Sequence, residues 1–317
     1  MKTLIVGAGT EGVLYGWALA EAGYDVTHFI RQGKKAQFDN GVLLDVIDDR
    51  KGHKQENKIK YPMKCVEMIA PTDHYELIIL PIHFYQVEAA LETLAPVSGD
   101  ALFLGFGTNW NGTETFEKFL PKERYLFGFP YGGGIKQDGQ YVAYLSPKIY
   151  LGEADGRASE KLARLKSFFA KADIQSAVSD SIFHLLWTSH VGYMGVCASL
   201  VKSGGLIPFL QSKAAMTECH QIIREMYELC RLRGVDPYKY PDQAILFRFP
   251  AWLYIIIFRF FIRNSKGIQR ALAYATDPTG DAEKLYPTML KTAQELKFDM
   301  PCLKAVESYL LKSAPQR

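Results

Sequence analysis

The opening segment "KTLIVGAGTEG" leaves few folds open to the chain that carries it. An apolar, β-branched run passes straight into Gly7, Gly9 and Gly12 in GxGxxG spacing. An apolar segment of helical period (13–22) follows, and then a second apolar run, "YDVTHFI". Strand, glycine turn, helix and strand in that order make a βαβ unit, which requires a parallel sheet. The spacing also has a chemical meaning. The first glycine permits the tight turn, the second lets a diphosphate approach the backbone, and the third lets helix and strand pack closely. The first helical turn, Thr10, Glu11 and Gly12, then presents its amides and the helix dipole to an anion. A bare GxGxxG is a weak signal, but one placed directly after the first strand is a strong one.

Which dinucleotide such a turn takes depends on the end of the second strand, where an NAD protein places an acid for the ribose 2′-hydroxyl. Here the sequence is "HFIRQGKK". Arg31, with Lys34 and Lys35 nearby, offers donors to a 2′-phosphate and the segment contains no carboxylate, so NADP(H) is the expected cofactor.

Short apolar runs recur at 77–82, 101–106 and 125–130 with helical material at 85–94 between them, the alternation of a parallel sheet. "QYVAYLSPKIYLGE" reads as antiparallel strand added at one edge. Beyond Arg157 nearly everything has helical spacing, with candidate helices at 180–202, 213–233, 243–263 and 281–297, separated by segments containing glycine and proline. The expected architecture is α/β: a Rossmann-type parallel-sheet domain over 1–174 followed by an all-helical domain over 175–317. A length of 317 residues suits two cores.

A formal charge of +3 with 48% hydrophobic and 22% charged residues lacks the basic excess of a nucleic-acid binder, so a small-molecule partner is expected. The five cysteines are odd in number and scattered, with no CxxC, which argues against a disulfide framework or a zinc site and for a reducing cytoplasm. The N-terminus reads as a strand and not a signal peptide. "FPAWLYIIIF" (249–258) is uninterrupted apolar sequence, but Arg248 and Arg259 bracket it at ten residues, too short for a bilayer. It reads as a buried helix with Pro250 in its first turn, or else as a dimer or membrane-surface contact through the helical domain.

The glycine turn at residue 7, the arginine past strand two, the helical second half and "LPIHFYQVEAAL" together resemble the ketopantoate reductase family along the whole chain. The likeness is specific in the cofactor half and architectural in the helical half. It implies a C-terminal domain like that of 6-phosphogluconate dehydrogenase and NADPH-dependent reduction of a 2-oxo acid between the domains. It also implies a helical lysine as proton donor, asparagines that position the substrate, and a late acid. Carried over by position, the lysine falls at Thr188 or Ser189 and the asparagines at Tyr193 and Cys197. A second lysine falls at His83. The family's asparagine-glycine becomes Phe106-Gly107, with Asn109 and Asn111 displaced along the loop; the late acid is Asp281, with Glu283 the other candidate.

Ketone reduction still needs a proton donor for the developing alkoxide. His190, within a residue or two of the missing lysine, is the candidate, with Asp281 as the assisting acid. His184, about 240° around the helix from His190, is expected to pack. Gly107, Asn109 and His83 are expected at the nicotinamide side, and the cluster at 132–134, with Tyr131, could admit a ligand close to the backbone. The expectation is therefore an NADP-dependent oxidoreductase acting on a carbonyl compound other than ketopantoate. Aromatic content of 13%, with Trp110, Trp187 and Tyr193 placed toward the substrate, suggests a bulkier compound. The alternative is an NADP-binding protein without turnover, in a structural or regulatory role.

Overall fold

The computed structural model describes residues 1–52, 54–107, 109–276 and 281–311. The N-terminal βαβ unit is β1 (Lys2–Val6), α1 (Thr10–Glu21) and β2 (Asp25–Phe29), with β1 and β2 parallel. The first unit continues through β3 (Val42–Asp48), β4 (Gln55–Tyr61), β5 (Cys65–Val66), β6 (Leu77–Leu80), α2 (Val87–Leu94), β7 (Leu102–Phe106) and a short α3 (Glu114–Glu117). It ends with the long strands β8 (Tyr125–Gln137) and β9 (Gln140–Gly152), then α4 (Glu160–Lys171) and β10 (Gln175–Val178). One sheet holds all the strands in the order β4-β3-β9-β8-β7-β6-β1-β2-β5, with β10 on β9.

The strands from β8 through β7, β6 and β1 to β2 are parallel, and β9 returns antiparallel along β8, as the alternating "QYVAYLSPKIYLGE" predicts. The parallel strands are apolar on both faces: every residue of β6 is buried. The remaining elements are helical: α5 (Ile182–Ser203), α6 (Leu206–Gln211), α7 (Lys213–Leu232), α8 (Pro241–Ala244), α9 (Ala251–Arg263), α10 (Lys266–Leu272), α11 (Asp281–Glu295), α12 (Pro301–Lys304) and α13 (Glu307–Leu310).

Three details differ from the sequence reading. The boundary expected at 174/175 moves, because β10 adds to the sheet in parallel with β9; the compact units are 1–183 and 184–317, parting in the first turn of α5. The helix expected over 243–263 is broken into α8, a 3₁₀ turn and α9. Phe249 precedes Pro250 and is held in the extended region (ψ 160), so a helix cannot run through it. α9 is only partly the buried helix expected: Tyr254, Ile255, Phe258 and Ile262 are buried, while Trp252, Ile256 and Phe260 are exposed. No helix among the described residues is long and apolar enough to cross a membrane.

The packing of α1 on the sheet rests on a buried histidine. His28 on β2 is 0% exposed. Its Nδ1 lies 3.1 Å from the Gly7 carbonyl and its Nε2 lies 3.3 Å from the Tyr61 hydroxyl. A carbonyl only accepts, so Nδ1 carries the proton and Nε2 accepts from Tyr61. Burial lowers the pKa of the ring to about 4, so it is neutral. Gly16, on the face of α1 above it, has no room for a side chain: a Cβ there would sit 2.5 Å from Nε2.

Two predictions follow from that contact. Gly16→Ala forces the ring aside and costs about 1–3 kcal/mol, read as a lowered midpoint of thermal unfolding; an unchanged midpoint would refute the packing argument. The folded pKa of His28 lies below the unfolded value of about 6.5, so below that pH the unfolded chain takes up a proton that the folded chain refuses. Stability should fall as pH drops from about 6.5 toward 4, by about 2 kcal/mol from this group at pH 5. Urea unfolding at pH 7.5 and 5 should show a steeper loss in the wild type than in His28→Asn, and parallel losses would contradict it.

Candidate functional site

The turn between β1 and α1 is built so that its carbonyls point into the protein. Gly7 has φ +97, a conformation glycine adopts freely, and its amide donates to the Phe29 carbonyl at 2.7 Å. Its own carbonyl accepts from His28, and the next carbonyl, Ala8, accepts from the Tyr141 hydroxyl at 2.8 Å, reaching across from β9. With both oxygens held by side chains, the other side of the turn is left to N–H groups. Gly9 caps α1 without a side chain, so nothing of its own satisfies the first-turn amides of Thr10, Glu11 and Gly12. A Cβ on Gly9 would meet nothing within 4 Å, whereas one on Gly12 would sit 3.2 Å from the Gly7 carbonyl. The glycines thus divide as the motif requires: Gly12 is small for packing within the protein, and Gly9 borders open space. This amide-lined recess at a helix N-terminus fits a dinucleotide diphosphate.

The neighbouring turns lie at the same end of the sheet. Ile82, following β6, stands 3.5 Å from a Cβ placed on Gly7, and its carbonyl lies 3.8 Å from one placed on Gly107, following β7. The Gly107 amide donates to the Gly128 carbonyl at 3.2 Å, joining the turn to β8. Ile82, Phe84, Gly107, Asn109 and Phe116 line an apolar pocket there. His83 is exposed and its ring lies parallel to that of Tyr85, 5.3 Å away. The Asn109 amide closes its own loop, donating to the Gly112 carbonyl at 2.6 Å and accepting from the Asn111 amide at 3.1 Å. Trp110, expected toward the substrate, is instead 1% exposed.

Arg31 is exposed just past β2. The expectation that no carboxylate stands near it needs correction, because β5 brings Glu67 to the same loop. Glu67 accepts from the Lys35 amide at 2.8 Å and from the amides of Gly33 and Lys34, and these bonds hold its carboxyl below the usual range. Glu67 lies more than thirty residues from Arg31 in sequence, and only the pairing of β5 with β2 reveals it. Tyr141 and His28 were also missed. A tyrosine in a strand and a histidine in an apolar run give no signal that they hold the carbonyls of a remote turn.

In the second unit, His190 is 0% exposed, with Nδ1 3.0 Å from the Leu186 carbonyl one turn earlier. Thr188 and Ser189, at the lysine position, turn their hydroxyls onto the carbonyls of His184 and Leu185 at 2.8 and 2.9 Å. Cys197 is buried, and Tyr193, His184 and Glu283 are half-buried. Asp281 opens α11, and its side chain lies outside the described residues.

Comparison with known proteins agrees with this geometry. Residues 3–156 match the family described as ketopantoate reductase PanE/ApbA. YkpB, an oxidoreductase of Bacillus subtilis (strain 168), is 22% identical over 245 residues, which cover 75% of this chain and 78% of its own. The 2-dehydropantoate 2-reductase of Aquifex aeolicus (strain VF5) is 22% identical over 256 residues, covering 75% of this chain and 77% of its own. A solved ternary structure of D-mandelate dehydrogenase with NADH and anilino(oxo)acetate has the same fold, with a TM-score of 0.73 over 98% of this chain and 97% of that one at 14% identity. Through residue 156 the chain matches the ketopantoate reductase family, and the glycine turn with its inward-held carbonyls and the parallel sheet behind it lie within the matched part.

Proposed function

We propose that the protein is an NADP(H)-dependent oxidoreductase that reduces a 2-oxo acid or related carbonyl compound other than ketopantoate. The observation that carries this reading is the turn at 7–12, whose two carbonyls are fixed inward by His28 and Tyr141 while Gly9 borders open space. In this reading Gly7, Gly9, Thr10, Glu11 and Gly12 hold the diphosphate, and Arg31 binds the 2′-phosphate. His83, Gly107 and Asn109 border the reactive half at the carboxyl ends of β6 and β7, where ligands of such sheets bind. Bound there, the reduced nicotinamide supplies a hydride. The exclusion of ketopantoate rests on Thr188 and Ser189, short hydroxyls bonded within their own helix, which cannot do the work of a lysine. His190 serves as the acid, with Asp281 assisting, only in a conformation that uncovers its ring. A cytoplasmic setting, where the five free cysteines stay reduced, belongs to the same reading, as does pairing of two copies through the exposed side of α9.

Fluorescence titration tests the cofactor assignment. NADPH should bind the wild type at least about 10-fold more tightly than NADH, the difference expected from one charge-assisted contact, and Arg31→Ala should erase most of it. Equal affinities in the wild type would overturn the choice of NADP(H). Consumption of NADPH with a panel of pyruvate, 2-oxoisovalerate, phenylpyruvate and benzoylformate separates a reductase from a binding protein without turnover. Tight binding with no consumption across the panel would favour the latter.

A further inference from the structure

The long antiparallel arm β8–β9 carries a side-chain cluster that the family resemblance does not assign. β8 runs parallel to β7 with Gly128 opposite Phe106, so Phe129 and Tyr131 lie just past the carboxyl end of the parallel strands. Across from them on β9, Tyr150 pairs with Phe129. The register then breaks between Pro130 and Gly132: Pro130 opposes Ile149 but Gly132 opposes Leu145, which leaves Ser146, Pro147 and Lys148 unpaired with β8 and opposite Tyr131. Such irregularities re-aim side chains. Lys148 and Tyr150, two residues apart on one strand, share a face. The Lys148 ammonium donates to the Tyr150 hydroxyl at 2.8 Å and lies 4.5 Å from that ring's centre and 6.0 Å from that of Tyr131. All four of these side chains, Phe129, Tyr131, Lys148 and Tyr150, are half-buried and so within reach of a ligand. The arm is also fixed relative to the glycine turn, because the Tyr15 hydroxyl on α1 donates to the Tyr131 carbonyl at 3.1 Å.

Donor and acceptor roles give this pair a direction. An ammonium has only donors, so the Tyr150 oxygen must accept from Lys148, and its own proton is left to point elsewhere. A phenol accepting from a cation also surrenders that proton more readily, because the phenolate would be stabilised by the same contact. We propose that Tyr150 is the proton donor for carbonyl reduction and that Lys148 is the residue that positions and acidifies it.

The inference rests on the reductase reading above. A carbonyl carbon that accepts hydride from the reduced nicotinamide releases its C=O π pair to oxygen as an alkoxide. That oxygen takes the Tyr150 proton as the phenolic O–H bond breaks, and water returns a proton to the phenolate. The products are the alcohol, the oxidised dinucleotide and the restored phenol. This assignment supplies an acid where Thr188 and Ser189 bond within their own helix, and it does so without the opening that the enclosed His190 requires.

Lys148 on its own strand and Tyr131 on β8 lie against Tyr150, and β10, the other neighbour of β9, runs alongside with Gln175, Ser176, Ala177 and Val178. Difference titration of tyrosinate absorbance, wild type minus Tyr150→Phe, should show one phenol ionising below the ordinary value of about 10. In Lys148→Met that phenol should return to about 10 or above, and in Lys148→Arg it should stay low. With the panel compound turned over fastest, Tyr150→Phe should lower kcat at least about 100-fold while leaving NADPH affinity within about twofold. Lys148→Met should move the pH profile of kcat upward. A phenol that titrates normally whatever stands at 148, or full turnover in Tyr150→Phe, would overturn the assignment and leave the reductase reading intact. Failure of the wild type to bind NADPH would instead remove the reading on which it rests.

Discussion

The site depends on the direction in which two peptide units face. A peptide presents a donor on one side and an acceptor on the other, and a turn that shows carbonyl oxygens to a diphosphate repels it. Gly7 and Ala8 solve this by giving both oxygens to side chains behind the turn, His28 from β2 and Tyr141 from β9. The His28 ring donates to the Gly7 carbonyl from Nδ1 and is kept neutral by burial under α1, and its place there requires that residue 16 have no side chain. The anion-facing side of the turn is therefore prepared by packing on its other side, at residues that never meet the ligand.

The same ties relate the two ends of the proposed reaction. Tyr141 near the start of β9 holds the Ala8 carbonyl, Lys148 and Tyr150 lie further along that strand, and Tyr15 of α1 holds the backbone at Tyr131 on the facing strand. The strand pair that carries the proton donor is thus bonded at two points to the elements that carry the phosphate turn. Preorganisation of this kind places reacting groups without a conformational cost at the moment of reaction. Its cost falls on the fold, as a buried histidine that destabilises the protein in acid and a glycine in the middle of a helix.

Much of the fold was legible because its signals are local. The GxGxxG turn, the apolar strands and the helical spacing beyond residue 157 each depend on neighbours in sequence, and all three correspond to elements of the structure. The misjudged unit boundary and the broken helix at Pro250 come from long-range pairing of β10 and from one proline's restriction on its predecessor. The site was legible only along the turn itself. Glu67 against the 33–35 amides and Tyr141 on Ala8 are contacts made by strand pairing between distant segments, and the placing of Lys148 and Tyr150 against Tyr131 depends on a break in strand register that the local sequence does not reveal. His190 illustrates the converse: placed by analogy near a missing lysine, it lies fully enclosed with its Nδ1 on the preceding turn.

Gly9 offers the most direct test of the central claim, that this turn exists to receive a diphosphate. Its φ of −71 suits any residue, and a Cβ there would meet nothing within 4 Å, so Gly9→Val should leave the unfolding midpoint of the ligand-free protein unchanged. The same substitution should weaken NADPH binding at least about 30-fold, since the methyls would occupy the space through which a diphosphate approaches the amides. Undiminished NADPH affinity in a normally folded Gly9→Val protein would contradict the account.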